Sequence, residues 1–323
     1  MAWPLREIKR THTKVGSLRK GTAIMYRRIL IPLDGSKTAE QVMPWARTLA
    51  ERFQVPVELL TVIDVGVLLT SAEGARRFDL LVEQSVREGR AYLERVSGRL
   101  AGVRVTRKVE QGTAADLIIE KAAADESTLI AMTTHGRSGL ERWLLGSVAE
   151  KVLRSTTNPL LLVRAVPGGR TTGEAVLKSI LVPLDGSGLA EQVLPTAARI
   201  ARKLDLDVYL FRTYTNPFAP FAGGSGPYAV NVGELMEQVR EEASAYLERI
   251  RAELNREGIE KISCVVEEGD GAEQIIAAAR KTPGTLIVMG SHGRSGLQRW
   301  LLGSVTEAVV RHGNSPVLVL RPR

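Results

Sequence analysis

From Met25 onward the sequence is written twice, and a chain that repeats a domain-sized block is constrained to fold as two copies of one domain. Arg28-Ile-Leu-Ile-Pro-Leu-Asp-Gly-Ser36 returns as Ser179-Ile-Leu-Val-Pro-Leu-Asp-Gly-Ser187, and Ala91-Tyr-Leu-Glu-Arg95 returns as Ala245-Tyr-Leu-Glu-Arg249. The longest match pairs Thr134 to Glu150 with Ser291 to Glu307, identical at 14 of 17 positions. The offset between copies grows from 151 to 154 to 157 residues, so the second copy carries two small insertions. One lies in the Pro- and Gly-rich stretch Asn216 to Gly226; the other falls between the long helix and the next strand. A unit of about 150 residues is the size of a domain, not of a solenoid repeat.

Within the first copy, apolar runs of strand length lie at 28–34, 56–63, 103–110, 127–133 and 159–164. Helical patterns fill the gaps at 37–53, 75–100, 113–124 and 146–156. The longest places Leu81, Val82, Val86, Tyr92, Leu93, Val96 and Leu100 largely at three- and four-residue spacings, the stripe of a helix lying on a sheet. Strands alternating with helices imply right-handed crossovers and an α/β fold, an open five-stranded parallel sheet with helices on both faces in each copy. The expected organisation is a basic extension at 1–24, domains at 25–166 and 178–323, and between them a linker at 167–177 whose Pro, Gly and Thr content suggests flexibility. The last strands, Pro159 to Val163 and Pro316 to Leu320, are almost wholly apolar. They are expected either to pair, with each other or across a homodimer, or to be ordinary buried strands.

The net charge of +8 bears on possible partners, but +5 of it comes from residues 1–24, where six Lys and Arg face one Glu. A short basic tail without interleaved aromatics argues against a nucleic-acid surface. Met25-Tyr-Arg-Arg-Ile also looks like a natural start. No apolar run approaches the roughly 18 to 20 residues of a membrane span, and no signal-peptide core precedes the fold, so a cytoplasmic protein is expected. Its one cysteine, Cys264, is then a reduced, strand-buried residue and offers no zinc site.

Parallel sheets bind ligands beyond the carboxyl ends of their strands. Three sequence elements fall there in each copy. Asp34-Gly-Ser36 and Asp185-Gly-Ser187 follow the first strand, where the Asp could take a ribose hydroxyl or an adenine amine, or the Asp or Ser could simply cap the next helix. Val62 and Thr213 stand at the tip of the second strand. The third element is a glycine loop after the fourth strand, with Gly136, Gly139 and Gly146 around Arg137 and Arg142, recurring as Gly293, Gly296, Gly303, Arg294 and Arg299. Gly146-Ser147 and Gly303-Ser304 open a helix, whose free N–H groups and positive dipole end suit a phosphate. Ser147-Val-Ala-Glu150 and Ser304-Val-Thr-Glu307 also have the form of capping boxes. A capping box leaves the glycines and arginines unexplained, and the whole constellation points to a nucleotide-phosphate cradle built twice.

The P-loop signature, the dinucleotide fingerprint, the nucleophile elbow and paired metal-spacing histidines are all missing. His135 and His292 stand inside the loops without a carboxylate in sequence to orient them, which suits a packing or phosphate-facing role better than a general base.

These residues resemble the universal stress protein family in its tandem form, over about 25–165 and 178–321. The ATP-binding branch of that family carries Gly-x-x-Gly, nine residues, then Gly-[Ser/Thr]. The second copy fits completely with Gly290, Gly293 and Gly303-Ser304, whereas Thr133 replaces the first glycine in the first copy. Conversely, Val62 fits the adenine-contacting strand tip and Thr213 does not. The resemblance implies two Rossmann-like, adenine nucleotide alpha hydrolase-like domains. It implies that Pro32, Asp34, Pro183 and Asp185 contact the adenosine, that Val62 and Thr213 line adenine, and that Met132, Thr133, Met289 and Gly290 lie along the nucleoside. Gly136, Arg137, Gly146, Ser147, Val148, Gly293, Arg294, Gly303, Ser304 and Val305 would hold the phosphates of ATP, with Mg²⁺ carried by phosphates and water. The expected function is that of an ATP-binding stress sensor or adaptor, often dimeric in this family, without a catalytic residue. The alternatives are a slow ATPase or self-phosphorylating enzyme, and an interaction module that binds no nucleotide.

Overall fold

The computed structural model describes residues 25–68, 78–135, 145–216, 232–291 and 302–321. The first copy runs β1 (Arg28–Pro32), α1 (Met43–Phe53), β2 (Val57–Ile63), α2 (Phe78–Ser97), β3 (Val105–Gln111), α3 (Ala114–Ala123), β4 (Thr128–Thr133), α4 (Ser147–Ser155) and β5 (Leu160–Val163). The second repeats it as β6 (Ser179–Pro183), α5 (Leu194–Leu204), β7 (Asp207–Tyr214), α6 (Val232–Arg256), β8 (Ile262–Glu268), α7 (Gly271–Lys281), β9 (Thr285–Gly290), α8 (Ser304–His312) and β10 (Val317–Leu320).

All strand pairings within a copy are parallel, in the order β3-β2-β1-β4-β5 and its mirror β10-β9-β6-β7-β8. The chain therefore has the α/β, Rossmann-like architecture expected of it. The two halves join because β5 and β10 pair antiparallel, with Leu161 opposite Leu318, giving one sheet of ten strands. Both strands are buried along their whole length, which is why neither alternates with polar residues. One apolar core lies under α1, α2, α5 and α6, the other under α3, α4, α7 and α8, and each draws side chains from both copies.

Three local expectations are corrected. The pattern at 37–53 is not one helix: a 3₁₀ turn, Ala39–Val42, precedes α1, and Pro44 sits in the first turn of α1, where its missing N–H costs nothing. The long helix differs between copies, for α6 runs on to Arg256, whereas α2 gives way to the 3₁₀ turn Gly98–Leu100. The interdomain segment is docked and not loose. Gln41 exchanges two hydrogen bonds with the backbone of Val166 (2.7 and 2.9 Å), and the Thr48 hydroxyl bonds both the N–H and the carbonyl of Ala175 (3.0 and 3.2 Å). Cys264 is half-buried on β8, and burial first, then the Glu248 carboxylate, pushes its thiol up to about 11.

Candidate functional site

Strand order reverses between β1 and β4, and between β6 and β9, so a crevice opens at the carboxyl ends of those strands. The turn leaving β1 closes around Asp34, whose Oδ1 accepts from the Ser36 N–H (2.9 Å) and hydroxyl (2.6 Å). Gly35 between them takes φ +88°, a conformation that a Cβ would strain. The Ser36 hydroxyl oxygen accepts the Ala39 N–H at 3.0 Å. In the second copy Asp185 Oδ1 accepts from Ser187 N–H at 2.9 Å, and Ser187 caps the helical turn Gly188–Glu191 through Ala190 N–H at 3.2 Å. Ser thus does the capping, while Asp braces the turn and lines the crevice.

At the next strand the copies diverge. Thr61 donates its hydroxyl to the Leu33 carbonyl at 3.0 Å, which seals β2 to the turn. Its counterpart is Arg212, whose guanidinium stacks 4.7 Å from the Tyr246 ring centre and lies beneath Gly186, where a Cβ would meet it at 3.2 Å. One residue on, half-buried Val62 and Thr213 reach the crevice. Thr213 Oγ1 also neighbours Gly271, the first residue of α7, where a Cβ would lie 3.4 Å from it. Arg212 and Gly271 line the site although no motif marked them.

The connection from β4 to α4 corrects the capping-box expectation. The cap residues are Gly146 and Gly303, both extended (φ −61° and −64°), and neither helix has a side-chain capping bond. The Gly146 N–H donates across the loop to the Thr134 carbonyl at 2.8 Å, and Gly303 does the same to Ser291. Glu150 and Glu307 turn away to ion-pair with Arg154 and Arg311. Ser147 and Ser304 consequently begin their helices as exposed residues, where the first-turn N–H groups have no intrahelical acceptor.

At the floor, Thr133 is buried and donates its hydroxyl to the His135 carbonyl at 2.6 Å. Gly290 stands in that place in the second copy, half-buried, with its carbonyl accepting the Thr306 hydroxyl at 2.8 Å. His135 Nδ1 lies 3.0 Å from Thr134 Oγ1, and its Nε2 is buried without a partner. Burial first, then the nearby Arg164 charge, holds its pKa below the ordinary value, disfavouring the imidazolium.

The described candidates converge. Pro32, Asp34, Val62, Met132, Thr133, Gly146, Ser147 and Val148 line a cavity of about 270 Å³ in the first copy. Pro183, Asp185, Thr213, Met289, Gly290, Gly303, Ser304 and Val305 line one of about 580 Å³ in the second. Only the second reaches its long helix, through Val239, Glu242 and Ala243. Gly136, Arg137, His292, Gly293 and Arg294 lie outside the described residues, as do Gly139, Arg142, Gly296 and Arg299. Among the described residues there is no cluster of side chains able to hold a metal ion, and no helix is long and apolar enough to cross a membrane.

Residues 25–164 and 177–321 both match the Universal stress protein family. Universal stress protein MJ0531 of Methanocaldococcus jannaschii is 34% identical over 151 residues, spanning 46% of this chain and 85% of its own length. A universal stress protein of Mycolicibacterium smegmatis is 26% identical over 302 residues, 91% of this chain and 97% of that one. Among solved structures, a universal stress protein from Archaeoglobus fulgidus superposes with a TM-score of 0.57 at 22% identity, covering 91% of this chain and 98% of that one, a likeness of fold.

Proposed function

The chain belongs to the universal stress protein family with two such domains in tandem, and from that premise we propose that it binds ATP in both cavities and acts as a stress-response sensor or adaptor. The observation that carries this reading is the convergence of three separate sequence elements on each crevice. A carboxylate-braced turn, a strand tip and an open helix N-terminus face one space. The donor set suits the ligand: first-turn N–H groups with no intrahelical acceptor and a dipole end for phosphate, apolar walls from Met289 and Val305 for a flat base, and Asp185 for ribose hydroxyls. Mg²⁺ would come with the phosphates and their water, since the described residues facing the crevice form no cation cage.

The copies fit unequally. About 580 Å³ lies within the roughly 300 to 1,000 Å³ usual for small-molecule sites, and about 270 Å³ lies just below it. Thr133 brings a side chain to the floor where Gly290 brings none, so the second copy should bind more tightly. Calorimetric titration of nucleotide-stripped protein with Mg-ATP tests this. The expected result is saturable binding in two steps, the tighter one weakened by Gly290→Thr. A folded sample that takes up no ATP would overturn the reading and leave an interaction module.

A further inference from the structure

The two cavities are connected by a closed circuit of hydrogen bonds that crosses the domain boundary twice. Gly146, the cap of α4 at the first cavity, donates to the Thr134 carbonyl (2.8 Å), and the Thr134 N–H donates to the Val163 carbonyl (3.0 Å) at the end of β5. The next residue, Arg164, leaves its own domain and donates through Nη1 to the carbonyls of Arg311 (3.0 Å) and Gly313 (3.3 Å) at the carboxyl end of α8. The other end of α8 opens the second cavity. From there Gly303 donates to Ser291 (2.8 Å), and Ser291 donates to Leu320 (2.8 Å). Arg321 then crosses back and donates to the carbonyls of Leu153 (3.2 Å) and Arg154 at the carboxyl end of α4. Crossed ion pairs run alongside, Arg154 to Glu307 and Arg311 to Glu150, each at 3.4 Å.

We propose that Arg164 and Arg321 are positioning residues for the opposite copy's site, so that a nucleotide in either cavity orders the other. The inference rests on the nucleotide-binding reading of the cavities. Its physical basis is that α4 and α8 are nine-residue rods held at both ends. One end offers N–H groups to phosphate; the other presents carbonyls to a cation from the partner domain, which favours that negative dipole end. A phosphate that seats α8 also seats its carbonyl end on Arg164. Arg164 is continuous with β5, and β5 holds Thr134, which holds the cap of α4. Helix shifts of about 1 to 2 Å at such boundaries are a common switching movement, and the coupling is reciprocal by thermodynamic necessity. Arg164 also lies close enough to His135 for its charge to disfavour the imidazolium, which places the cation at the first site as well as at the second helix.

Val62→Trp, which fills the smaller cavity, leaves one site to load, and hydrogen exchange at the Thr134 and Gly146 amides reads the other copy. Mg-ATP bound in the second cavity should slow exchange at both amides about five-fold or more. Arg164→Met in that background should abolish the protection, and Arg164→Lys should restore part of it. The reciprocal set, Thr213→Trp with Arg321→Met, reads Ser291 and Gly303 should the first variant fold poorly. Binding heat without protection across the boundary, or protection that survives both Met variants, overturns this proposal alone. Absent binding heat in the wild-type chain removes the nucleotide reading and this proposal with it.

Discussion

Two residue types that both favour helix starts, Asp and Ser, do different work in different places. Asp270 is a true cap of α7, its Oδ1 accepting the N–H groups of Ala272 (2.9 Å) and Glu273 (3.0 Å). Ser304, at the start of α8, makes no such bond and lies exposed at the second cavity. Asp270→Ala is therefore expected to cost about 1 kcal/mol in urea unfolding, with ATP affinity little changed. Ser304→Ala should shift stability by less than about 0.5 kcal/mol and weaken ATP binding. A stability loss at Ser304 as large as that at Asp270 would show that the serine caps after all. A Ser-x-x-Glu pattern could not distinguish these roles, because it reads identically whether Ser is the cap or the first helical residue. What decides is the Thr134 carbonyl taking the Gly146 N–H, a contact across a loop that no local pattern encodes. Asp34 and Asp185 were legible because an Asp-Gly-Ser turn has its own local bonding. Arg212 was not, since its place depends on Tyr246 from another element.

At the level of elements, periodicity found the strands and the long helices because burial enforces it. Val82, Tyr92, Leu93, Val96 and Leu100 of the expected stripe are buried, and so is Gly89, which the apolar pattern passes over. A Cβ at Gly89 would meet both γ-methyls of Val109 at 3.3 Å, so α2 approaches the sheet there more closely than a hydrophobic pattern can announce. Composition misread the segment after Val163. Its glycines and threonines suggest freedom, but Gln41 and Thr48 of the first domain hold the backbone of Val166 and Ala175 near its two ends. Gln41 is itself buried, and Arg99 adds a bond from its guanidinium to the Thr171 carbonyl at 3.4 Å. Gln41→Ala removes both bonds to Val166 and should open this strap first, as local unfolding begins where few bonds hold a segment. Limited proteolysis should then cut within 166–177 several times faster than in the wild-type chain. Equal cutting rates would mean that the docking of the strap owes nothing to Gln41.

For the molecule as a whole, the question is whether two domains on one chain behave as two bodies. Domains joined only by a linker unfold separately, and a single unfolding free energy then has no meaning. Here the joint runs through the sheet itself. Leu161 and Leu318 face each other across the β5–β10 pair, each almost fully buried, and the core on their side takes in Ile29, Leu59 and Leu129 of the first copy with Ile180, Leu210 and Val288 of the second. The residue after each last strand ties that strand to the opposite copy's helix, Arg164 to α8 and Arg321 to α4. Surface ion pairs such as the crossed Glu150 and Glu307 set are worth about 0 to 1 kcal/mol each, so cohesion rests mainly on the buried leucines. Truncating one of them, as in Leu318→Ala, is expected to cost about 2 to 5 kcal/mol. Because its contacts serve both halves, the loss should lower the melting of the entire chain. Scanning calorimetry should show one transition in the wild type, with matching van't Hoff and calorimetric enthalpies, displaced downward as a unit in Leu318→Ala. Two resolved transitions in the wild type, or a variant in which only half of the enthalpy moves, would mean that each copy carries its own stability and that the shared sheet is a contact and not a common core.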